Sequence, residues 1–204
     1  MVGGGAAVAA ALFLLGCLGS NEDGTSTQTY SKIEDIQPTA VPYARAYVIF
    51  TGTPIPTDVV AEQKDGEFEL RCESEGAVID LEKYAFDDAS FKFVGTGSET
   101  FDPGIPILRF PLEVGDEWTW GGSYLTGADA REATAKVRTA QERLNTVMGE
   151  FSTVRVTVEL AIQSGTPKPV EHKLVFWFAP KKGIVRREIK FSTTREPMPP
   201  VEEQ

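Results

Sequence analysis

Residues that could carry out catalytic chemistry are few in this sequence. His172 is the only histidine, and Cys17 and Cys72 are the only cysteines. A zinc site of the usual nitrogen and sulfur type needs more such ligands, and a nucleophile activated by histidine needs partners that this pattern does not identify. A lone histidine before a strand-like run is typical of a surface or structural residue. We therefore predict no catalytic residues and no metal site.

The acidic pairs Asp87–Asp88 and Asp116–Glu117 come closest to a metal-ligand pattern. Neither has the D-x-D-x-D-G spacing of a calcium loop, so turns and strand ends explain them better. The stretch GTGSET, which begins at Gly95, lacks the lysine and the length of a phosphate-binding loop, and no cofactor is expected. An extracytoplasmic hydrolase with two carboxylates stays an alternative, because such acids need not be adjacent in sequence.

The N-terminal region has the character of a processing signal. Ala6 to Leu15 are ten consecutive apolar residues, followed by Gly16, Cys17 and the polar stretch LGSNEDGTSTQTYSK. A run of this length is too short for a membrane-spanning helix and matches the core of a signal peptide. The alternative is a buried N-terminal helix with a core cysteine, which the many glycines and the polar segment after Cys17 disfavour.

The four residues Leu14-Leu15-Gly16-Cys17 resemble the lipobox of bacterial lipoproteins. The resemblance implies that Cys17 carries lipid, including acyl chains such as palmitate, and that cleavage before it removes residues 1–16 as a signal peptide. It also implies an extracytoplasmic protein of the cell envelope, periplasmic or on the cell surface, that contacts the membrane through this lipid. Two or three acyl chains anchor a protein stably, whereas one binds reversibly.

Composition divides the rest of the chain into three parts. Residues 17–40 are polar and rich in Gly, Ser and Thr, which predicts a flexible tether. Residues 41–193 carry the alternating apolar pattern of a β domain. Residues 194–204 contain three prolines and several acids without an apolar period, which predicts a disordered acidic tail.

Alternation with a period of two dominates the middle of the chain. In TVRVTVELAI, apolar residues from Val154 to Ile162 share one face, as in a half-buried antiparallel strand. The same character recurs in IVRREIKF, although Arg187 falls on its apolar face. Cys72 ends EFELRC on the apolar face, which predicts a buried, unreactive thiol. Further strand candidates are RAYVIF, AVIDLEKY, SFKFVG, DEWTWGG and LVFWFA.

Hairpin turns between these runs predict a mainly β fold. The expected architecture is a curved antiparallel sheet that forms a half-barrel or a barrel, with at most one or two helices. A sandwich is the alternative. Residues 127–144, GADAREATAKVRTAQERL, fit a helix by propensity and a strand by alternation equally well.

The formal net charge of −10 argues against nucleic acid as a partner. Acidic residues are in excess from Asp58 to Glu117, and basic residues are in excess from Lys173 to Arg195. The simplest interpretation is that acidic and basic strands pair across the sheet. The alternative is a basic surface that binds an acidic partner or lipid headgroups.

The most distinctive internal stretch is RFPLEVGDEWTWGG, Arg109–Gly122, which places Trp118 and Trp120 on one strand face. Two such rings either anchor a core or line a pocket for an apolar or sugar ligand. Together with TVMGEFSTVRV and FWFAPKKGIVR, this stretch makes the region from Phe110 to Arg187 similar to a group of uncharacterised bacterial envelope proteins. The resemblance implies a curved sheet like that of the LolA and LolB lipoprotein carriers, and it brings no catalytic residues.

These patterns together predict a non-enzymatic, membrane-anchored envelope lipoprotein that binds an apolar small molecule or another envelope protein. The predicted ligand-binding residues on the concave side of the sheet are Trp118, Trp120, Phe176 and Phe178. The alternatives are a structural or assembly module that acts through its charged faces, and the hydrolase noted above.

Overall fold

The computed structural model describes residues 28–36, 45–64, 66–97, 99–189 and 193–199. Within these ranges the chain forms fourteen β-strands and one three-residue 3-10 turn, Ile33–Asp35. The strands are β1 Thr29–Tyr30, β2 Arg45–Phe50, β3 Thr53–Lys64, β4 Glu67–Ser74, β5 Ala77–Asp87, β6 Ser90–Thr96, β7 Glu99–Arg109, β8 Leu112–Glu113, β9 Glu117–Thr126, β10 Asp129–Thr146, β11 Gly149–Ile162, β12 Val170–Ala179, β13 Gly183–Ile189 and β14 Thr193–Pro197. No helix in these ranges is long and apolar enough to cross a membrane.

Twelve of the strands form a closed antiparallel barrel, and the mainly β prediction is confirmed. Neighbours in the barrel are consecutive in sequence, apart from β7, which pairs with β9, and β14, which pairs with β2 and closes the ring. The remaining strands, β1 and β8, pair with each other in a separate two-stranded sheet. Each pairing is antiparallel, so successive turns alternate between the two ends of the barrel.

Strand β10 resolves the ambiguity between helix and strand for residues 127–144. Ala133, Ala135 and Val137 are buried in the interior, while the residues between them are exposed. An isolated segment of this composition has a high helix propensity. Pairing with β9 on one side and β11 on the other overrides that propensity, because only the extended form buries this apolar series.

One end of the barrel, here called the plugged end, is covered by residues 28–36. Tyr30, Ile33 and Ile36 are buried in the main core. The turn between β12 and β13 also holds this segment, because the N–H of Lys181 donates to the carbonyl of Asp35 at 3.0 Å. The structure therefore places residues 28–36, which composition assigns to the tether, on the barrel itself.

The C-terminal segment also differs from its sequence-based interpretation. Residues 193–197 form β14, which pairs with β13 and β2, and the side chain of Arg195 is buried. No apolar period is visible there because the inward residue of this short strand is an arginine. Ion pairs with an interior carboxylate hold this arginine in place of apolar contacts.

Aromatic side chains fill the middle of the barrel. Phe93 contacts Phe176 at a ring distance of 5.5 Å, and Phe91 contacts Phe178 edge to face at 6.1 Å. These contacts join β6 and β12, which lie on opposite walls. The interior is thus packed across its width at this level of the barrel.

Candidate functional site

An interior cavity of about 140 Å³ lies at the end opposite the plugged end, here called the open end. Its apolar lining is Phe93, Phe101, Leu160, Ile162, Leu174 and Ile189, and its polar lining is Thr96, Glu99, Tyr124 and His172. Alternation on six strands brings these residues together, since each lies on the inward face of its strand. The polar groups are half-buried and form the rim.

The rim groups interact with one another. The Tyr124 hydroxyl is hydrogen-bonded to the Glu99 carboxylate, and burial together with this carboxylate raises the pKa of Tyr124 to about 12. Burial lowers the pKa of His172 below its ordinary value, and the negative charge of Glu99 opposes that shift. The Thr96 hydroxyl lies 3.5 Å from Glu99 Oε2. At neutral pH the rim therefore presents a neutral phenol beside the Glu99 carboxylate.

The cavity has the size and lining for a small apolar group. A buried space of roughly 150 Å³ lined by Leu, Ile and Phe stays dry and binds benzene, and 140 Å³ is of that order. A whole drug-sized ligand needs about 300 Å³ or more. This cavity can therefore hold one ring or the end of an acyl chain, with the rest of the ligand at the rim.

Exposed apolar side chains surround the same end. Within the described ranges, the large exposed hydrophobic residues at the open end are Phe50, Val78, Ile79 and Val170. Phe50 and Val170 continue the inward series of β2 and β12, yet they are 51% and 45% exposed. Inward positions at a barrel end stay exposed where no residue covers them, so the open end carries exposed apolar side chains in addition to the polar rim of the cavity.

The four predicted ligand-binding residues all lie in the main core. None of them lines the cavity, but Phe176 contacts Phe93 and Trp120 contacts Phe101, and both of these partners do line it. The structure thus places the two aromatic residues Phe176 and Trp120 directly behind the cavity lining.

Trp118 and Trp120 have an additional structural role in the wall of the barrel. Strand β7 pairs with β9 only from Glu99 to Asp102, and the ladder stops at Pro103. Beyond this point the Trp118 Nε1–H donates to the Pro106 carbonyl at 2.8 Å, and the Trp120 Nε1–H donates to the Pro103 carbonyl at 3.1 Å. The indoles replace backbone hydrogen bonds that the interrupted ladder does not make.

A buried charge cluster lies beside the cavity. Glu82 and Arg187 are fully buried, Arg195 is nearly so, and Asp80 completes the cluster by pairing with Arg187. Although burial alone raises the pKa of Glu82, the two arginines hold it well below its usual range. The Tyr84 hydroxyl also donates to Glu82 at 2.5 Å. The cluster pairs acids from the acidic region, Asp58 to Glu117, with arginines from the basic region, Lys173 to Arg195. These ion pairs lie inside the barrel and not between adjacent strands on its surface.

The sequence contained one signal for this cluster, namely Arg187 on the apolar face of its strand. Its partners could not be found in the same way, because Asp80 and Glu82 are 107 and 105 residues away in the chain. Glu99 and Tyr124, at the cavity rim, lay in no motif. Only the arrangement of β7, β9 and β12 in the barrel brings Glu99 and Tyr124 close to His172.

The acidic pairs singled out from the sequence have structural partners. Asp87 accepts hydrogen bonds from the Ala89 N–H and the Ser90 hydroxyl and pairs with Lys92, while Asp116 accepts from the Glu113 N–H. In the described part of the chain no group of three or more His, Cys, Asp or Glu side chains is arranged to hold a metal ion. Cys72 is buried, and burial raises its pKa to about 12.

The predicted signal peptide, residues 1–16, and the predicted lipidation site Cys17 lie outside the described residues. No protein-family model matches the chain. No curated protein matches it either.

Three solved structures are similar over most of the chain. A candidate lipoprotein from Parabacteroides distasonis has 10% identity and a TM-score of 0.45, covering 82% of this chain and 97% of that one. The hypothetical lipoprotein YmcC from Escherichia coli has 13% identity and a TM-score of 0.39, covering 78% and 88%. A candidate exported protein with a YmcC-like fold from Bacteroides fragilis has 16% identity and a TM-score of 0.33, covering 83% and 97%. Similarity at this level assigns neither a family nor an activity to this chain.

Proposed function

We propose that this protein is a non-enzymatic lipoprotein of the bacterial cell envelope that binds an apolar ligand at the open end of its barrel. The observation that carries the proposal is the 140 Å³ cavity, which is lined mainly by apolar side chains and lies at the end of the barrel where Phe50, Val78, Ile79 and Val170 are exposed. The lipid on Cys17 would hold the barrel at the membrane.

The ligand expected is a molecule with an apolar tail and a polar end. The tail would enter between Phe93, Phe101 and Leu174, where it gains burial. The polar end would remain at the rim, where Tyr124, Glu99 and His172 provide hydrogen-bonding groups. A neutral or cationic end fits better than an anion, because the Glu99 carboxylate lies at the rim.

Ligand binding can be tested with the fluorescent apolar probe N-phenyl-1-naphthylamine and two matched variants. Ile162→Phe adds volume at the cavity lining, whereas Ala161→Leu adds volume to the next residue, which points to the other face of β11. We expect the first variant to weaken probe binding about tenfold and the second to leave it unchanged. Saturable binding that survives Ile162→Phe, or no saturable binding to the wild type, would overturn the proposal.

The anchor needs a separate test, because it does not depend on the cavity. Cells that express the full chain are grown with radiolabelled palmitate, and Cys17→Ser is the control. The label should enter the wild-type protein and be lost in the variant, which should also keep its signal peptide. Equal labelling of both proteins, or of neither, would contradict lipid attachment at Cys17.

A further inference from the structure

The long hairpin of β10 and β11 extends past the rest of the barrel wall. Residues 142–153 pair only with each other, because the pairing of β10 with β9 ends at Arg138 and the pairing of β11 with β12 begins at Val154. Leu144 and Phe151 on this arm pack in an outer hydrophobic cluster with Trp177 of β12. The arm is therefore fixed against the barrel wall, and its tip has a defined position.

The tip of this arm is apolar where hairpin turns are usually polar. Val147 and Met148 are 59% and 39% exposed. Two-residue hairpin turns ordinarily carry Asn, Asp or Gly, because these residues suit the turn and water. Exposure of two neighbouring hydrophobic side chains to water is unfavourable in free energy, and a partner that buried them would remove this penalty.

One backbone amide of the tip has a hydrogen-bond partner within the turn. The Met148 N–H donates to the Thr146 hydroxyl at 3.1 Å, and that hydroxyl donates to the Gly149 carbonyl at 3.1 Å. Unpaired backbone groups are the main obstacle to placing a turn among lipid chains. This tip already pairs the amide of its most distal residue, so it can leave water at a lower cost than an ordinary turn.

The tip lies at the plugged end of the barrel. Phe151 of the arm contacts Lys182 in the β12–β13 turn, with the ammonium 5.1 Å from the ring centre. The same turn holds the N-terminal segment through Lys181 and Asp35. The tip projects three residues beyond Phe151, away from the open end.

The chain toward Cys17 leaves from this same end. Gln28 is the first described residue, and its carbonyl accepts the Val114 N–H at 3.0 Å next to β8. Cys17 precedes Gln28 by eleven residues, so the two can be no more than about 40 Å apart. The predicted lipid site and the apolar tip are thus within reach of one membrane surface.

We propose that the Val147–Met148 tip inserts into the surface of the lipid bilayer that carries the Cys17 anchor. For the choice of membrane, this inference rests on the anchoring proposed above. The tip would fix the orientation of the barrel, with the plugged end toward the lipid and the open end toward the aqueous compartment. A ligand would then reach the cavity from the aqueous side.

Environment-sensitive fluorescence tests the tip independently of natural lipidation. In the chain from residue 17 onward, Cys17 is replaced by a histidine tag that binds nickel-chelating vesicles of phosphatidylethanolamine and phosphatidylglycerol. A nitrobenzoxadiazole dye is attached at Met148→Cys or, as the control at the open end, at Val170→Cys. We expect a blue shift and quenching by nitroxide lipids for the dye at position 148, and neither for the dye at position 170.

The outcomes separate this inference from the proposed function. No shift at position 148, or an equal shift at both positions, would overturn insertion of the tip, whatever the palmitate labelling shows. If the dye at position 148 shifts but the native chain carries no palmitate, the result would support the tip as a membrane contact and contradict lipid attachment at Cys17. As a second variant, Met148→Asp with Val147→Asp should weaken vesicle binding of the chain from residue 17 onward, carrying Cys17→Ser and no tag, about tenfold, while Val170→Asp should not.

Discussion

Arg187 and Glu82 form an ion pair of 2.6 Å across the barrel interior, and neither side chain is exposed to solvent. They belong to β13 and β5, which are not neighbours in the sheet. The pair therefore ties together two walls of the barrel that no backbone hydrogen bond connects.

Replacement of one partner should destabilise the protein strongly. Glu82→Gln removes the carboxylate that pairs with both buried arginines, and the expected loss is about 3–5 kcal/mol of unfolding free energy. Urea denaturation measures this. Lys136→Met, which breaks a half-exposed pair with Glu117, is the control and should cost less than about 1 kcal/mol. A loss for Glu82→Gln as small as that of the control would contradict the cluster.

Stability should fall in acid in a manner that depends on Glu82. Because the folded pKa of this carboxyl is held below its ordinary value of 4.5, the ion pair contributes fully above that pH. As the pH drops below 4.5, the unfolded chain takes up a proton that the folded protein does not, so the unfolding free energy decreases. Denaturation at a series of pH values should show this slope in the wild type and a shallower slope in Glu82→Gln. Equal slopes in the two proteins would contradict the assignment of this pH dependence to Glu82.

His172 offers a direct measurement at the cavity rim, because it is the only histidine in the chain. Burial should give it a pKa below 6.5, so that lowering the pH from 6.5 favours the unfolded state, which binds the proton more readily. Nuclear magnetic resonance titration of the ring protons measures the pKa without ambiguity of assignment. Glu99→Gln should lower it further, since Glu99 raises it. A wild-type pKa at or above 6.5 would contradict the described environment.

The indoles in the wall between β7 and β9 should matter for stability more than for ligand affinity. Trp118→Phe and Trp120→Phe each remove one hydrogen bond to a proline carbonyl, at an expected cost of about 1 kcal/mol. Urea denaturation gives the cost, and titration with N-phenyl-1-naphthylamine gives the affinity. A large loss of affinity with unchanged stability would instead assign these residues to the ligand, as the sequence predicts.

Cys72 should be unreactive in the folded protein. It is fully buried, and burial together with the charge of Glu82 raises its pKa to about 12, so thiolate is scarce at neutral pH. In Cys17→Ser, the reagent 5,5′-dithiobis(2-nitrobenzoic acid) should react only after the protein unfolds in urea. Fast reaction under native conditions would show that the strand opens readily.

Much of the β architecture was predictable because the signal is local. Strands such as β4 and β11 can be recognised from their alternation, and β2 and β12 from their aromatic and β-branched residues, and both signals need only neighbouring residues. Strands β3 and β7 were harder to find because each contains two prolines, which usually mark the end of a strand. Strand β7 keeps its place because side-chain donors from β9 replace part of the ladder.

The candidate site was much less predictable. Glu99, Tyr124 and His172 occur on three strands and share no motif, so only the closure of the barrel gives them a common position. The four aromatic residues predicted to bind a ligand, Trp118, Trp120, Phe176 and Phe178, do face inward, but they fill the core. Whether an inward side chain fills a core or lines a cavity depends on what the opposite wall places against it.

The sequence by itself determined many of the strands, their inward faces and the burial of Cys72, because all three follow from a period of two along the chain. It also carries the lipobox-like segment, which is read as a linear motif. Tertiary structure alone decided that the sheet closes, that residues 28–36 cover one end, that Arg187 meets Glu82, and that a cavity remains at the other end. These depend on contacts between residues far apart in the chain, such as Glu82 and Arg187, which are 105 positions apart, and no local pattern records the energies of such contacts.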